Sequence, residues 1–347
     1  ICAFLRGVDS YPELLRLSAA SAGNDCRLGG HEAPPAVISV FLGDALLEAL
    51  HRAAGEEITG SRGSHSLNIG VSTSPELMAD DSDRNRTSPF AFTGNKFEFR
   101  MVGSADSIAC ANIMLNTAVA ESLKVYADRL EGAEDFETAL QAMIRKTIQD
   151  HKRIICNGYD GAWIKEAVEQ RGLLNYPATP DCVPHLLDEK NVALLTSHGV
   201  LSRAELVSRY EVTLENYCKT ILIEANTMVD MARTEIIPAV QAFALDTAKT
   251  ASAKRELVPG CPCGCETELV KRLSALTDEI YRETGALEET VLALATVEDI
   301  KAEAERIRDT VLPGMGRLRL PCDQAETLTP KKYWPFPTYG DLLFGVR

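Results

Sequence analysis

Apolar residues recur along this chain in two rhythms. Over 202–235, Val207, Tyr210, Leu214, Tyr217, Ile221, Ala225, Met228 and Ala232 fall three or four positions apart, the interval that lines one face of an α-helix. Ser202 followed by Glu205 supplies a capping-box start, and Pro238 predicts a stop soon after 235. The stripes Leu269, Leu273, Leu276, Ile280 and Ile300, Ala304, Ile307, Val311 predict helices over 266–288 and 297–311, so a helical hairpin or bundle is expected across 202–311. Weaker patterns predict helices near 107–129, 134–152 and 161–171, and Ala3, Leu5, Val8, Leu14, Leu15 and Leu17 predict helix at the start of the chain. The second rhythm has a period of two: Phe97, Phe99 and Met101 alternate with Lys96, Glu98 and Arg100, which predicts a strand with one apolar and one ionisable face.

Between these elements the pattern breaks down. Gly23 to Pro35 is rich in glycine, proline and ionisable side chains and reads as a loop, because Gly29 and Gly30 permit angles closed to other residues and Pro34 and Pro35 disfavour helix before them. Residues 56–89 are polar and weakly periodic, as in long loops that order around a ligand. At the other end, Tyr333 to Phe344 holds aromatic residues and prolines and reads as a tail docked on a surface.

Composition narrows the function classes. With 347 residues, 45% apolar and 25% charged, the chain is long enough for one large or two ordinary globular domains. It has no apolar run long enough to span a bilayer, so an intracellular, cytoplasmic protein with no membrane partner is expected, or an organellar one if a targeting peptide lies upstream. A formal net charge of -14 argues against nucleic-acid binding, which needs clustered cations. Ten dispersed cysteines are expected to be mainly buried thiols. Cys261, Cys263 and Cys265 lack an obvious fourth ligand nearby and read better as an interhelical turn than as a metal site. His51, His65, His151, His185 and His198 show no ligand-like spacing, and His31 stands out only by its neighbour Glu32.

The ionisable strand face also suits a solvated edge that resists mispairing. Arg27 and Glu32 in the Gly/Pro loop, and Arg84 and Arg86 in the segment Asp83 to Pro89, give it another meaning. Together these groups supply guanidinium forks and carboxylates of the kind that phosphoryl transfer requires: fixed cations for spread negative charge, and a carboxylate for a divalent ion.

The strings GNDCRLGGHEAPPAVISVFLG (Gly23 to Gly43), DRNRTSPFAFTGNKFEFRMVGS (Asp83 to Ser104), NIMLNTAVAE (Asn112 to Glu121) and YWPFPTYGDLLF (Tyr333 to Phe344) resemble type III glutamine synthetases, in order and over nearly the whole chain. The resemblance implies an α+β fold: part of a half-barrel of antiparallel strands, followed by a mainly α-helical region. It also implies ATP-dependent joining of ammonium to glutamate through a γ-glutamyl phosphate, with Mg²⁺ or Mn²⁺, in a homo-oligomer of stacked rings, a dodecamer. Position by position, Arg27 looks like the arginine on the substrate carboxylate and Glu32 like the flap glutamate that helps deprotonate ammonium. Arg86 resembles the arginine on the transferred phosphoryl group, with Arg84 and Lys96 as nucleotide-contacting cations. Glu98 takes the place of a metal-ligand carboxylate, and Arg100 that of its partner facing phosphate and glutamate. The expected organisation is 1–130 as part of the catalytic domain, 131–320 as a helical region and 321–347 as the docked tail. Cys26 departs from the histidine expected before Arg27, and the family's other metal ligands should lie upstream of Ile1. Two other readings stand beside the enzyme: a homologue that has lost catalysis and serves a binding or regulatory role, and a helical scaffold, which would leave the matched loops unexplained.

Overall fold

The computed structural model describes residues 1–30, 33–55, 66–67, 77–78, 88–156 and 162–345. They form two compact units, 1–214 and 215–347, so the helical region expected over 131–320 is shared between both.

The first unit opens with α1 (Cys2–Ser10) and α2 (Pro12–Leu17), the latter begun by a proline whose missing N–H costs nothing in a first helical turn. Leu5, Val8, Leu14 and Leu15 are fully buried, as the apolar stripe predicts. The Gly/Pro segment, expected to be a loop throughout, begins instead with the short helix α3 (Ala22–Arg27); Gly29 follows with φ 77°, the left-handed conformation that glycine adopts freely. Next come β1 (Val40–Phe41), α4 (Asp44–Ala54), the antiparallel pair β2 (Ser66–Leu67) and β3 (Leu77–Met78), and then β4 (Phe90–Phe92) and β5 (Phe97–Phe99). A small mixed sheet has the order β1-β4-β5, with β1 parallel to β4 and β5 antiparallel to it. Ile155 extends it by bridging Val40 on the outer side of β1.

The register pairs Phe90 with Phe99, Ala91 with Glu98 and Phe92 with Phe97. The phenylalanines therefore share one face, as the alternation predicts. Phe4 of α1 covers that face, stacking on Phe97 at 3.8 Å and meeting Phe90 edge-on at 5.3 Å, while Phe90 stacks on Phe99 at 4.4 Å. Behind α1 runs α5 (Ile108–Leu130), and the two helices approach closely at Gly7, where a Cβ would lie 3.0 Å from the Ala118 carbonyl oxygen. Tyr126 of α5 hydrogen-bonds Thr147 of α6 (Phe136–His151) at 2.8 Å. The unit is completed by α7 (Trp163–Glu169), α8 (Thr179–Cys182), α9 (Glu189–Ser197) and the start of α10 (Arg203–Met231).

Buried polar bonds tie distant segments of this unit together. Arg16, 1% exposed, donates to Asp25 of α3 at 2.8 Å and to the Tyr176 and Pro177 carbonyls, while Asp25 also accepts from the Thr179 backbone at 2.6 Å. His151 pairs with Asp9, His185 with Asp188 and His198 with Glu121. These histidines thus cap structural carboxylates, in line with their scattered spacing.

Within the first unit, α10 begins with the capping box expected: the Ser202 N–H donates to Glu205 at 2.7 Å and the Glu205 N–H returns to Ser202 Oγ at 3.3 Å; the helix then continues as part of the second unit. Pro238 does not end the helix. A π-helical turn, Ala232–Ile236, carries the chain directly into α11 (Ile237–Leu257). The same device recurs after α12 (Gly264–Leu292): α13 (Ile300–Arg306) passes through a π turn, Ile307–Val311, into α14 (Leu312–Leu328), which contains Pro313. The helix expected to end at 311 therefore runs on. A proline clashes with the carbonyl four residues earlier, and in both cases that residue (Thr234, Asp309) lies inside the wider π turn, which moves the carbonyl away.

The cysteine-rich run forms the turn between α11 and α12, where Cys263 is buried and its thiol donates to the Ala251 carbonyl at 3.6 Å. Cys26 and Cys265, by contrast, are exposed. The tail lies on α11: Tyr333 donates to Asp246 at 2.6 Å and its ring sits 5.2 Å from Phe243, before α15 (Tyr339–Phe344) closes the chain. Among the described residues no helix is long and apolar enough to cross a membrane.

Candidate active site

The ionisable face of β5 carries a linked triad. Arg100 donates through Nη2 to Glu98 at 3.1 Å, and Lys96 Nζ lies 3.6 Å from the other carboxylate oxygen. The Arg100 hydrogen bond, then its charge and that of Lys96, hold the Glu98 carboxyl below the ordinary carboxylate range. Arg100 is largely enclosed, with a side chain 13% exposed, whereas Glu98 at 39% is open to solvent and ligands. The aromatic face beneath fixes the strand on which all three stand.

Arg27, distant in sequence, is brought to the same place. Its Nη2 donates to the Met101 carbonyl at 2.7 Å and the Arg100 carbonyl at 3.2 Å, where the chain leaves β5. Its Nε donates to Asn24 Oδ1 at 2.9 Å. Asn24, 4% exposed, in turn donates to the Ala19 carbonyl at 2.6 Å and the Met101 carbonyl at 2.8 Å. One edge of the Arg27 guanidinium is therefore fixed by the chain, while Nη1 has no hydrogen-bond partner among the described residues. Gly103 allows this close seating: a Cβ there would lie 2.8 Å from Asp106 Oδ2 and 3.4 Å from Asn24. The neck of the following loop is closed by the Gly29 N–H donating to the Pro34 carbonyl at 3.0 Å.

Of the residues singled out from sequence, the structure brings Arg27, Lys96, Glu98 and Arg100 into one neighbourhood. Glu32, Arg84 and Arg86 lie outside the described residues. Asn24 belongs to no motif, and its position three residues before Arg27, on one face of α3, is the one sequence signal that points to it. Chemically the site offers paired cations beside an accessible carboxylate, an arrangement suited to anionic ligands. A divalent ion would find one hard oxygen donor in Glu98; among the described residues no three His, Cys, Asp or Glu side chains converge to hold a metal.

Comparison with known proteins shows what the chain is similar to. Residues 139–255 match the family described as glutamine synthetase C-terminal domain. The chain is 37% identical over 350 residues to a glutamine synthetase of Butyrivibrio fibrisolvens, covering 99% of this chain and 49% of the relative. It is 35% identical over 353 residues to the type-3 glutamine synthetase of Dictyostelium discoideum, covering 99% of this chain and 48% of that one. It is 33% identical over 351 residues to a glutamine synthetase of Bacteroides fragilis (strain YCH46), covering 97% and 48%. The chain thus spans about half the length of the curated relatives it matches. Over nearly its whole length the chain is thus similar to glutamine synthetases, one of them named type-3, and its residues 139–255 match their C-terminal domain.

Proposed function

We propose that the protein of which this chain forms at least part joins ammonium to L-glutamate with ATP, forming L-glutamine through a γ-glutamyl phosphate. The observation that supports this most directly is the convergence of Arg27 on β5. Its guanidinium binds the carbonyl of Arg100, whose own side chain holds Glu98. Two arginines and a carboxylate from segments 73 positions apart in sequence are thereby set at one strand exit.

In this reading Arg27 binds the glutamate carboxylate, using the end of its fork that the chain does not occupy. Arg100 and Lys96 offset charge on phosphate groups, and their fixed positions avoid the reorganisation that water would need. Glu98 contributes one oxygen donor toward Mg²⁺ or Mn²⁺, which would supply charge screening between nucleotide and glutamate; the rest of a metal site must come from outside the described residues. Arg84 and Arg86 act on the nucleotide and the transferred phosphoryl group. Glu32 accepts a proton from ammonium, since the ion has no lone pair with which to attack. A cytoplasmic homo-oligomer of stacked rings is part of the same proposal and rests on the family resemblance.

The test is ammonium-dependent phosphate release from ATP and glutamate by the full-length protein, compared with Glu98→Gln and Arg27→Ala. Activity in the wild type that both substitutions reduce by about a hundredfold or more, with assembly intact, is the expected result; each removes an interaction with developing charge worth roughly 3 kcal/mol. An assembled wild type that releases no phosphate with either metal ion would sink the proposal.

A further inference from the structure

The ionisable face of the sheet extends beyond β5. Pairing of β4 with β5 continues past the strand ends, because the Arg100 N–H donates to the Pro89 carbonyl at 2.8 Å. Arg100 therefore stands opposite Pro89, as Glu98 stands opposite Ala91. On the far side of β4, Val40 pairs with Phe90 and Phe41 with Ala91, and the Ser39 carbonyl accepts from the Phe90 N–H at 3.1 Å. One step back along this register, Ser39 lines up with Pro89 and Arg100 in a single row across the sheet. Alternation places its side chain on the face of Ala91 and Glu98 and away from the aromatic face.

Ser39 is 1% exposed, and its hydroxyl has no hydrogen-bond partner among the described residues. An enclosed, unpaired hydroxyl costs stability that an alanine would not, so its presence calls for a reason. Arg100 lies within reach. Two strand spacings separate the two backbones, about 10 Å, which an extended arginine and a serine hydroxyl span together. Pro89 stands between them, and its ring puts no polar group in the gap. Arg100 is itself mostly enclosed, with Nη1 shielded from solvent, so a bond from it to Ser39 would form at low local dielectric and be strong. Here the guanidinium is drawn along its own strand instead, to Glu98, through Nε at 3.3 Å and Nη2 at 3.1 Å.

We propose that Ser39 is a positioning residue for Arg100, an inference that rests on the reading above in which Arg100 meets phosphate. A phosphate group competes with Glu98 for the guanidinium. As the guanidinium leaves Glu98, one N–H turns to Ser39 Oγ, which accepts it and fixes the fork toward the phosphate. The hydroxyl is unpaired while Arg100 sits on Glu98 and paired once it swings, so the cost in the first arrangement favours the second.

The experiment is calorimetric titration of the full-length protein with ATP and Mg²⁺, in wild type, Ser39→Ala, Arg100→Ala and the double variant, with thermal melting of each before nucleotide is added. Ser39→Ala should weaken ATP binding by about tenfold, the scale of one hydrogen bond to a charged group. In the Arg100→Ala background the same substitution should change binding by less than about twofold, because its partner is already gone. The melting midpoint of Ser39→Ala should stay at or above that of wild type, since only an unpaired hydroxyl is removed; a serine with a purely structural role would lower it. If alanine disturbs the fold, Ser39→Cys, which keeps the shape and offers only a weak acceptor, should give the same loss of binding. Wild type that binds ATP, with Ser39→Ala equal to it, with an equal loss in the Arg100→Ala background, or with midpoints lowered in both serine variants, overturns the inference and leaves the functional reading standing. Wild type that binds no ATP overturns that reading and the inference together.

Discussion

Replacing Asn24 by alanine should unfasten α3 from the exit of β5, and the size of the effect follows from the bonds it breaks. The side chain donates to the Ala19 and Met101 carbonyls at 2.6 and 2.8 Å and accepts from Arg27 Nε at 2.9 Å, in a position 4% exposed. Each neutral bond contributes about 1 kcal/mol net and the bond to a cation roughly 1.5–3 kcal/mol. The Ala19 carbonyl would also lose the side-chain donor while remaining enclosed, whereas the Met101 carbonyl keeps Arg27. The sum is about 3–5 kcal/mol of local stability. Native-state hydrogen exchange reads this directly at the Asp25 and Leu28 amides, which donate to the Ser21 and Asn24 carbonyls within and beside α3. At about 1.4 kcal/mol per factor of ten, protection there should fall by roughly two to three and a half decades. The amides of α5 should lose far less. Asn24→Asp gives a second reading, since it keeps an acceptor for Arg27 but sets a carboxylate oxygen against two carbonyls; it should also loosen α3. Protection at Leu28 within about tenfold of wild type in Asn24→Ala would refute the reasoning, because a tenfold change corresponds to only about 1.4 kcal/mol.

Two further outcomes follow from other charges in the first unit. Arg16→Ala leaves Asp25 enclosed without its cation, which should cost about 3–5 kcal/mol, seen as a lowered denaturation midpoint; Arg16→Met with Asp25→Asn should recover part of the loss, since the uncompensated charge is then gone. Glu98 has its folded pKa depressed, chiefly by the Arg100 hydrogen bond, so its contribution to stability is present above the ordinary carboxylate pKa and is lost as pH falls through the folded value. Because the side chain is 39% exposed, that contribution should stay below about 1 kcal/mol. A carboxyl NMR titration of Glu98 should show a midpoint below that of an unperturbed glutamate, and a midpoint above it would refute the assignment.

The sequence alone determined the local elements whose cause is local. The Ser202 and Glu205 cap, the apolar stripes of α5, α6 and α12, and the alternation that divides β5 into aromatic and ionisable faces are read within one or two turns or a few strand positions, because the forces that set them act between near neighbours. The resemblance strings likewise named Arg27, Lys96, Glu98 and Arg100. Where sequence signals failed, a distant or compensating interaction had intervened. Pro238 and Pro313 should stop a helix, yet a π turn moved the clashing carbonyl and each helix continued. Gly23 to Arg27 has loop composition, yet Arg16, Asp25 and Asn24 tie it down as helix through bonds to residues 101, 176 and 177. Only the tertiary structure decided that Arg27 meets the strand end more than seventy positions away. It also decided that Ser39 lines up across the sheet with Arg100. No periodicity records such meetings, because they depend on how separate elements pack and which buried polar groups must find partners when they do.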